Sequence, residues 1–408
     1  MIAHLFRLIW NRKRSQGLVL GEILVSFLVL CMVCTTIAYF VHNARKPLGF
    51  DWHDVWRVRM DFGEYQTVSE QERQAVWERL LRLQQEARAL EGVEAAALMN
   101  NVPYSGSTSS WSMKVLGRDL DMLFGVAGQE APEVLRLDLV DGHWFVPGDE
   151  NQDWVPLVIN RDMAKAFFGE RSPVGQSLPR FDDAGQPQAR DEGEPDYRVI
   201  GVISDYRRDG ELSASPLVSF TPVRVGAKQW PPDRLLIRTR PGTTAAFEET
   251  LSRRMHELAP DWAFDVRSMA SKRHDALRSR LMPLLIGGTA AAFLLVMVAM
   301  GLMGVLWLNV TRRTRELGLR RAMGATASGV RLQILGELLA LTTLAVLLGA
   351  LVFLQAPLLG IAGWVGWQVY AVGIVGSLLI LYTLVVLCGL YPSWLATRVH
   401  PAEALHYE

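Results

Sequence analysis

"PLLIGGTAAAFLLVMVAMGLMGVLWLNVTRRTRELGLRRAMGAT", residues 283–326, stays uncharged up to Val310 and then sets Arg312, Arg313, Arg315, Arg320 and Arg321 close together. An apolar run of ~20 residues crosses a ~30 Å hydrocarbon core as a helix. Arginines directly behind it hold that end on the cytoplasmic side. This stretch predicts a polytopic α-helical membrane protein.

Working outward, three more runs have the same character: about 18–41, 332–354 (interrupted only by Glu337) and 369–391. Four transmembrane helices are therefore expected. The first is longer than a signal-peptide core, and no small-x-small site follows Tyr39-Phe40-Val41, so it reads as retained. The formal net charge of +0 hides an asymmetry: residues 45–280 hold 31 Lys/Arg against 37 Asp/Glu, so the remainder carries the basic excess. That excess sits at Arg7, Arg12, Lys13 and Arg14, at 312–331 and at Arg398. Both termini and the 311–331 loop are expected in the cytoplasm. Residues 42–280 are then expected on the far side as one large α/β extracytoplasmic domain, inserted between helices 1 and 2. The expected order is a cytoplasmic interfacial amphipathic helix over 1–16, helix 1 over 17–41, the outer domain over 42–280 and helix 2 over 281–310. A cytoplasmic loop over 311–330, helix 3 over 331–354, an external turn over 355–368, helix 4 over 369–391 and a cytoplasmic tail over 392–408 follow.

Within the outer domain, "DVWRVRMDF" alternates like a strand and Ser69–Glu91 reads as a long helix. "VLRLDLVDGHWF", "VPLVIN", "DYRVIGVISDY", "LVSFTPV", "DRLLIRTR" and "WAFDVRSM" are strand-like, and "NNVPYSGSTSSWSM" reads as a loop. "INRDMAKAFFG" and Thr244–Leu258 read as helices, and "FDDAGQPQARDEGEPD" as a charged hairpin insertion. "ASKRHDALRSR" leads into the second span.

Motifs for catalysis are missing. No G-x-x-x-x-G-K-[ST], H-E-x-x-H or G-x-S-x-G occurs, so neither a catalytic residue nor a metal ligand is expected. Asp51, His53 and Asp54 read as a polar strand entry rather than a metal site. Cys31, Cys34 and Cys388 all fall in spans, which leaves the outer domain without a disulfide. Glu22 and Glu337 are carboxylates inside spans, where an unpaired charge costs several kcal/mol, and so are candidate functional groups. Their position near the inner ends of spans favours snorkelling to the interface, or pairing with arginines such as Arg14 or Arg331, over an ion pathway.

As a helix, the arginine knot places Arg312, Glu316 and Arg320 at successive i, i+4 positions, a favourable ladder. Leu319, Ala322 and Met323 form a separate apolar stripe. Gly324 is placed to end the helix, and Thr326 or Ser328 to cap the next. Topology alone needs only positive charge. The ladder, stripe and glycines together point to a docking element for a cytoplasmic partner.

"RTRELGLRRAMGATASG" (313–329) resembles the R-T-R-E-I-G-[IL]-R-[RK]-A-[LM]-G-A-[ST] signature of ABC-transporter permeases of the MacB/FtsX/LolC–LolE superfamily. "LVDGHWFVPGD", "VINRDMAKAFFGERSPVGQSL", "YRVIGVISDYR" and "YPSWLATRVHPAEALHYE" are similar to further family patterns, in order along nearly the whole chain. His143, followed by Trp144, stands where the family has Arg, and Gly329 where an acid is common; both depart from it. The resemblance implies a non-catalytic permease subunit of the bacterial inner membrane, multi-pass, with its large domain periplasmic. It implies that Thr314, Arg315, Glu316, Leu317, Gly318, Leu319, Arg320, Arg321, Ala322, Met323 and Gly324 form a coupling helix. That helix would dock an ABC ATPase subunit, present in two copies and holding the ATP and magnesium that this sequence has no motif for. A second permease subunit, the same chain or a paralogue, a periplasmic adaptor and membrane lipid are the other implied partners; nucleic acid is not. The implied function is export or extraction of a substrate by movement of the periplasmic domain. The competing reading is an FtsX-like scaffold that activates an extracytoplasmic hydrolase, for which this ectodomain is large and acidic.

Overall fold

The computed structural model describes residues 13–396 except 64–68, 107–109, 116–117, 150–151, 183–185, 190–192, 227–229, 244, 313–322, 324–325 and 362–364. The chain divides into two compact units, Met1–His42 with Arg280–Glu408, and Asn43–Ser279.

Four helices, which supply the first unit, are long and apolar enough to cross a membrane: Gly17–Ala44, Met269–Leu308, Leu335–Leu358 and Trp367–Leu390; the end of the first and the start of the second belong to the other unit. They belong to α1 (Lys13–Ala44), to a 44-residue helix beginning at Met269, and to the last two long helices of the chain. Ile23, Phe27, Leu30 and Cys31 of α1 pack with Val298, Leu302, Leu338, Leu341, Ala345, Leu381 and Val385. Side chains such as Leu18, Ile286, Met300 and Leu351 remain exposed, as a hydrocarbon-facing surface requires. Where spans meet, small residues admit close backbones. A Cβ at Gly373 would lie 2.1 Å from Thr35 Oγ1 and 2.7 Å from Thr35 Cα, whereas one at Gly376 meets only Cys34, at 3.9 Å. Gly373→Val is therefore expected to lower the unfolding midpoint of the detergent-solubilised chain strongly, with overpacking costs of ~3 kcal/mol. Gly376→Ala should behave as wild type. Equal midpoints for the two variants would show that the Thr35–Gly373 contact is absent.

The second unit is built on a ten-stranded mixed sheet. In chain order its elements are β1 (Val55–Asp61), α2 (Glu70–Ala89), β2 (Val93–Met99), β3 (Ser110–Val115), β4 (Arg118–Ala127) and α3 (Ala131–Leu135). β5 (Leu139–Gly142), β6 (Val155–Asn160), α4 (Arg161–Phe168), β7 (Arg180–Phe181), β8 (Pro187–Gln188) and β9 (Tyr197–Ile203) follow. β10 (Leu217–Pro222), β11 (Arg234–Thr239), α5 (Ala245–Leu258) and β12 (Ala263–Ser268) lead into α6 (Met269–Arg312), then α7 (Ala327–Phe353), α8 (Gln355–Leu358) and α9 (Trp367–Ala396). The sheet order is β12-β1-β11-β2-β4-β10-β6-β9-β5, with β3 paired to β4 and β7–β8 a separate hairpin. The β4–β10 and β6–β9 pairs are parallel.

The β1 alternation divides two cores. Trp56, Val58 and Met60 join Trp77, Leu80 and Leu83 of α2 and Leu251 and Met255 of α5 on one face. Val55 joins Ala97, Leu236, Trp144, Tyr206 and Phe220 on the other. α2 begins at a capping box: the Ser69 side chain accepts from Glu72 N–H and Glu72 reaches back to the Ser69 N–H. α4 is capped by Asn160 and closed by Gly169.

Two local expectations fail. Val134 and Leu135 lie in α3 rather than a strand: Pro132 opens that turn, and Arg136, left-handed at φ 50°, ends it. Ser110–Met113, expected in a loop, belong to β3, completed by pairing with β4. The segment after Met269, which leads into the second span, is helix throughout, with the Ser268 hydroxyl accepting from Ser271 N–H.

Candidate functional site

Of the arginine-knot residues, Thr314, Arg315, Glu316, Leu317, Gly318, Leu319, Arg320, Arg321, Ala322 and Gly324 lie outside the described residues. Met323 is 75% exposed. α6 is described as far as Arg312, and Thr326 caps α7 after the knot by accepting from Gly329 N–H. Glu22 sits in α1 and Glu337 in α7, both half-buried. A Cβ at Gly301 would lie 2.7 Å from Glu22 Oε2, so the carboxylate packs against the glycine face of α6. Among the described residues no His, Cys, Asp and Glu group could hold a metal ion.

A site that sequence reasoning did not single out lies in the loop after β9, "DYRRDGELS", residues 205–213. Tyr206 is fully buried between Phe50 and Phe220, and its hydroxyl donates to the Asn101 carbonyl at 2.9 Å. Burial pushes the phenol pKa up. Arg207 is likewise fully buried, and every one of its guanidinium donors is engaged by a backbone carbonyl. Nη1 donates to Asn43 at 2.8 Å and Lys46 at 2.9 Å, Nη2 to Glu211 at 2.6 Å and to Ser213, and Nε to Ser213 at 3.1 Å. Asn43 is in the last turn of α1, so a side chain 164 residues away satisfies one of the carbonyls a helix end leaves without a partner.

The same loop touches the first turns of α6. Glu211 pairs with Arg273, whose guanidinium also stacks 4.7 Å over the Trp52 ring. Gly49 completes the seat. It holds a φ of +80°, and a Cβ there would lie 1.6 Å from the Asp205 carbonyl oxygen, so only glycine fits. The loop thus joins the end of α1, the linker 45–52 and the start of α6 into one hydrogen-bonded assembly. Its sequence is polar and resembles a solvated turn. The available hint was the sequence Tyr-Arg-Arg directly after a buried strand.

Beside this seat, Asp51 accepts from the His53 N–H at 3.0 Å and pairs with the His53 ring at 2.7 Å and with Arg136 at 3.0 Å. Arg238, almost fully buried on β11, donates to the Val134, His53 and Asp51 carbonyls. Burial opposes the charge of Asp51, but the His53 hydrogen bonds and the positive field of Arg238 outweigh it and hold the carboxyl pKa below the usual range. A depressed carboxyl pKa stabilises the fold above the unfolded-state value, about 3.9, and that stabilisation disappears as pH falls through the folded value. Asp51→Asn is therefore expected to lower the unfolding midpoint at pH 7. The difference from wild type should close in acid, below about pH 4. A difference that persists unchanged at lower pH would remove Asp51 ionisation as its cause.

Comparison with known proteins adds the following. The model of the MacB-like periplasmic core domain matches residues 20–254, and that of the FtsX-like permease C-terminal domain matches residues 288–401. A macrolide export ATP-binding/permease protein MacB of Bdellovibrio bacteriovorus is 28% identical over 65% of this chain and 41% of its own length. An uncharacterized ABC transporter permease YknZ of Bacillus subtilis is 27% identical over 62% of this chain and 61% of its own. A pyoverdine export ATP-binding/permease protein PvdT of Pseudomonas savastanoi pv. phaseolicola is 27% identical over 68% of this chain and 42% of its own. The matches thus span from about two fifths to three fifths of those relatives. The periplasmic region of MacB from Actinobacillus actinomycetemcomitans superposes with a TM-score of 0.36 at 13% identity, covering 55% of this chain and 92% of that one.

Proposed function

The chain belongs to the family of permeases with a MacB-like periplasmic core domain, and on that premise we propose that it is the membrane subunit of an ABC transporter. In this reading a separate ATP-hydrolysing subunit binds ATP and magnesium, and its closure is passed through the chain to the extracytoplasmic domain. The domain's movement then expels or extracts a substrate on the outer side.

The observation that carries the reading is the order of the two matched models, periplasmic core over 20–254 and permease over 288–401, around four apolar helices. The relatives named as exporters favour transport over hydrolase regulation. The spans carry few polar side chains, which argues against a hydrophilic pore and for conformational work done outside the membrane. Both termini and residues 314–324 face the cytoplasm in this proposal, and the chain sits in a bacterial inner membrane. Two permeases, identical or paralogous, pair with two ATPases. Glu22 and Glu337 are proposed to be held in ion pairs near the cytoplasmic interface rather than in an ion path.

The experiment is co-expression with an ABC ATPase encoded beside it, co-purification in lipid, and measurement of ATP turnover. Binding with turnover that depends on the permease supports the reading. Absence of any bound ATPase defeats it. Activation of a purified extracytoplasmic hydrolase in place of substrate movement would replace export with regulation.

A further inference from the structure

At the edge of the sheet, β12, β1 and β11 lay charges side by side on one face. The antiparallel registers place Arg267 opposite Arg57, and in the next row Asp265 opposite Arg59 and Arg59 opposite Arg234. Arg59 and Arg234 are like charges directly across a pair, an arrangement that destabilises a sheet unless something answers it. Arg57 and Arg234 are 3% and 6% exposed. Each has one carboxylate, Asp265 at 2.9 Å and Asp233 at 2.6 Å, yet the Nε of each is buried with no hydrogen-bond partner. Burial and repulsion by neighbouring arginines both press these guanidinium pKa values down.

The N-terminal turn of α6 lies in the same field. It carries no acidic residue, although a helix start favours one. It presents Lys272, which feels Arg57 and Arg267 as like charges and Asp265 and Asp275 as opposite ones. Arg208 also acts on Arg234, and is itself paired with Asp209 at 3.1 Å. Among the described residues, Arg57, Arg59, Arg208, Arg234, Arg267 and Lys272 thus stand against Asp61, Asp209, Asp233, Asp265 and Asp275, which leaves positive charge in excess. Asp61, further along β1, accepts from its own turn at Gly63 N–H. Arg59 and Arg267 are exposed and Lys272 is half-buried, so the edge is open to solvent while the unused donors lie beneath.

We propose that this edge binds a phosphate-type oxyanion, with Lys272 and Arg59 meeting it from the rim above the buried guanidinium charges of Arg57 and Arg234. An anion there offsets the excess charge, separates Arg59 from Arg234 and lies at the positive end of α6. Guanidinium groups suit this ligand because their planar donors match the oxygen spacing of a phosphate. The anion is either free or the headgroup of a phospholipid. The inference stands independently of the transport reading.

The test uses the full chain in detergent, titrated with inorganic phosphate against chloride at equal ionic strength while the unfolding midpoint is followed. A second arm compares nanodiscs of phosphatidylglycerol with nanodiscs of phosphatidylcholine. A saturable rise in midpoint with phosphate assigns the free anion, and a rise only in anionic discs assigns the headgroup. In the responding arm, the Arg59→Ala, Lys272→Ala double variant should weaken the effect roughly tenfold or more, the worth of one charge-assisted hydrogen bond. Arg59 is exposed and Lys272 half-buried, so the fold should survive; Lys272→Gln alone gives the same readout with a smaller change. No response in either arm, or an undiminished response in the variants, overturns the proposal.

Discussion

Arg207→Met should cost the extracytoplasmic unit roughly 3 kcal/mol or more, the penalty for leaving several carbonyls without their donor. Methionine fills much of the same volume, so the loss is of hydrogen bonds rather than packing. The carbonyls of Asn43, Lys46, Glu211 and Ser213 lose donors at once. A buried carbonyl without its donor costs ~1–3 kcal/mol, and the relief of no longer burying a guanidinium offsets only part of that. Arg207→Lys should recover little. One ammonium is a compact charge and cannot reach carbonyls arrayed around a planar fork. In the detergent-solubilised chain, the expected result is a lower unfolding midpoint with new protease cleavage between residues 43 and 52. An unchanged midpoint and cleavage pattern in both variants would show that the guanidinium does not hold this seat. Arg198→Ala is a suitable control, because its pair with Asp196 is partly solvated and exposed ion pairs contribute about 0–1 kcal/mol.

What sequence could and could not disclose follows from the range of each interaction. The spans were legible because a lipid-facing helix must be apolar over its whole length, and that property is local. α2 and α4 were legible for the same reason, since Ser69 with Glu72 and Asn160 with Gly169 mark their limits within a few residues. The family resemblance held as well, because its motifs are contiguous. "VLRLDL" failed because strict alternation describes a strand unless a proline and a left-handed residue close a helical turn first. β3 failed because its Ser-Trp-Ser opening has turn-like composition, and only the β4 partner makes it a strand. The Arg207 seat was invisible for a stronger reason. Its acceptors are backbone carbonyls, which carry no sequence signature, and two of them come from more than 160 residues away. The β1–β11–β12 charge field is similar, since each arginine alternates normally within its own strand and becomes anomalous only once the registers are known.

Glu316→Arg combined with Leu319→Asp should abolish recovery of the ATPase with the permease, weakening binding roughly 100-fold or more, which is the loss of a single interfacial hot spot of ~3 kcal/mol. The two changes attack different parts of the 314–324 helix inferred from sequence. Glu316 stands i, i+4 from both Arg312 and Arg320, so arginine there turns two favourable pairs into three neighbouring like charges along the helix. Leu319 belongs to the apolar stripe with Ala322 and Met323, and Met323 is exposed as a docking residue must be. An aspartate in that stripe would have to be desolvated on binding without a partner, which is costlier than losing the leucine contact. The permease alone should keep its unfolding midpoint, because both substitutions lie outside the packed spans and α7 has its own cap at Thr326. Reduced co-purification with an unchanged midpoint therefore isolates docking from folding. Arg207→Met offers the complementary readout, with ATPase binding retained and the extracytoplasmic seat lost. If the double variant binds the ATPase as well as wild type, residues 314–324 do not contact it, and the arginines reduce to a topology signal resting on lipid phosphates.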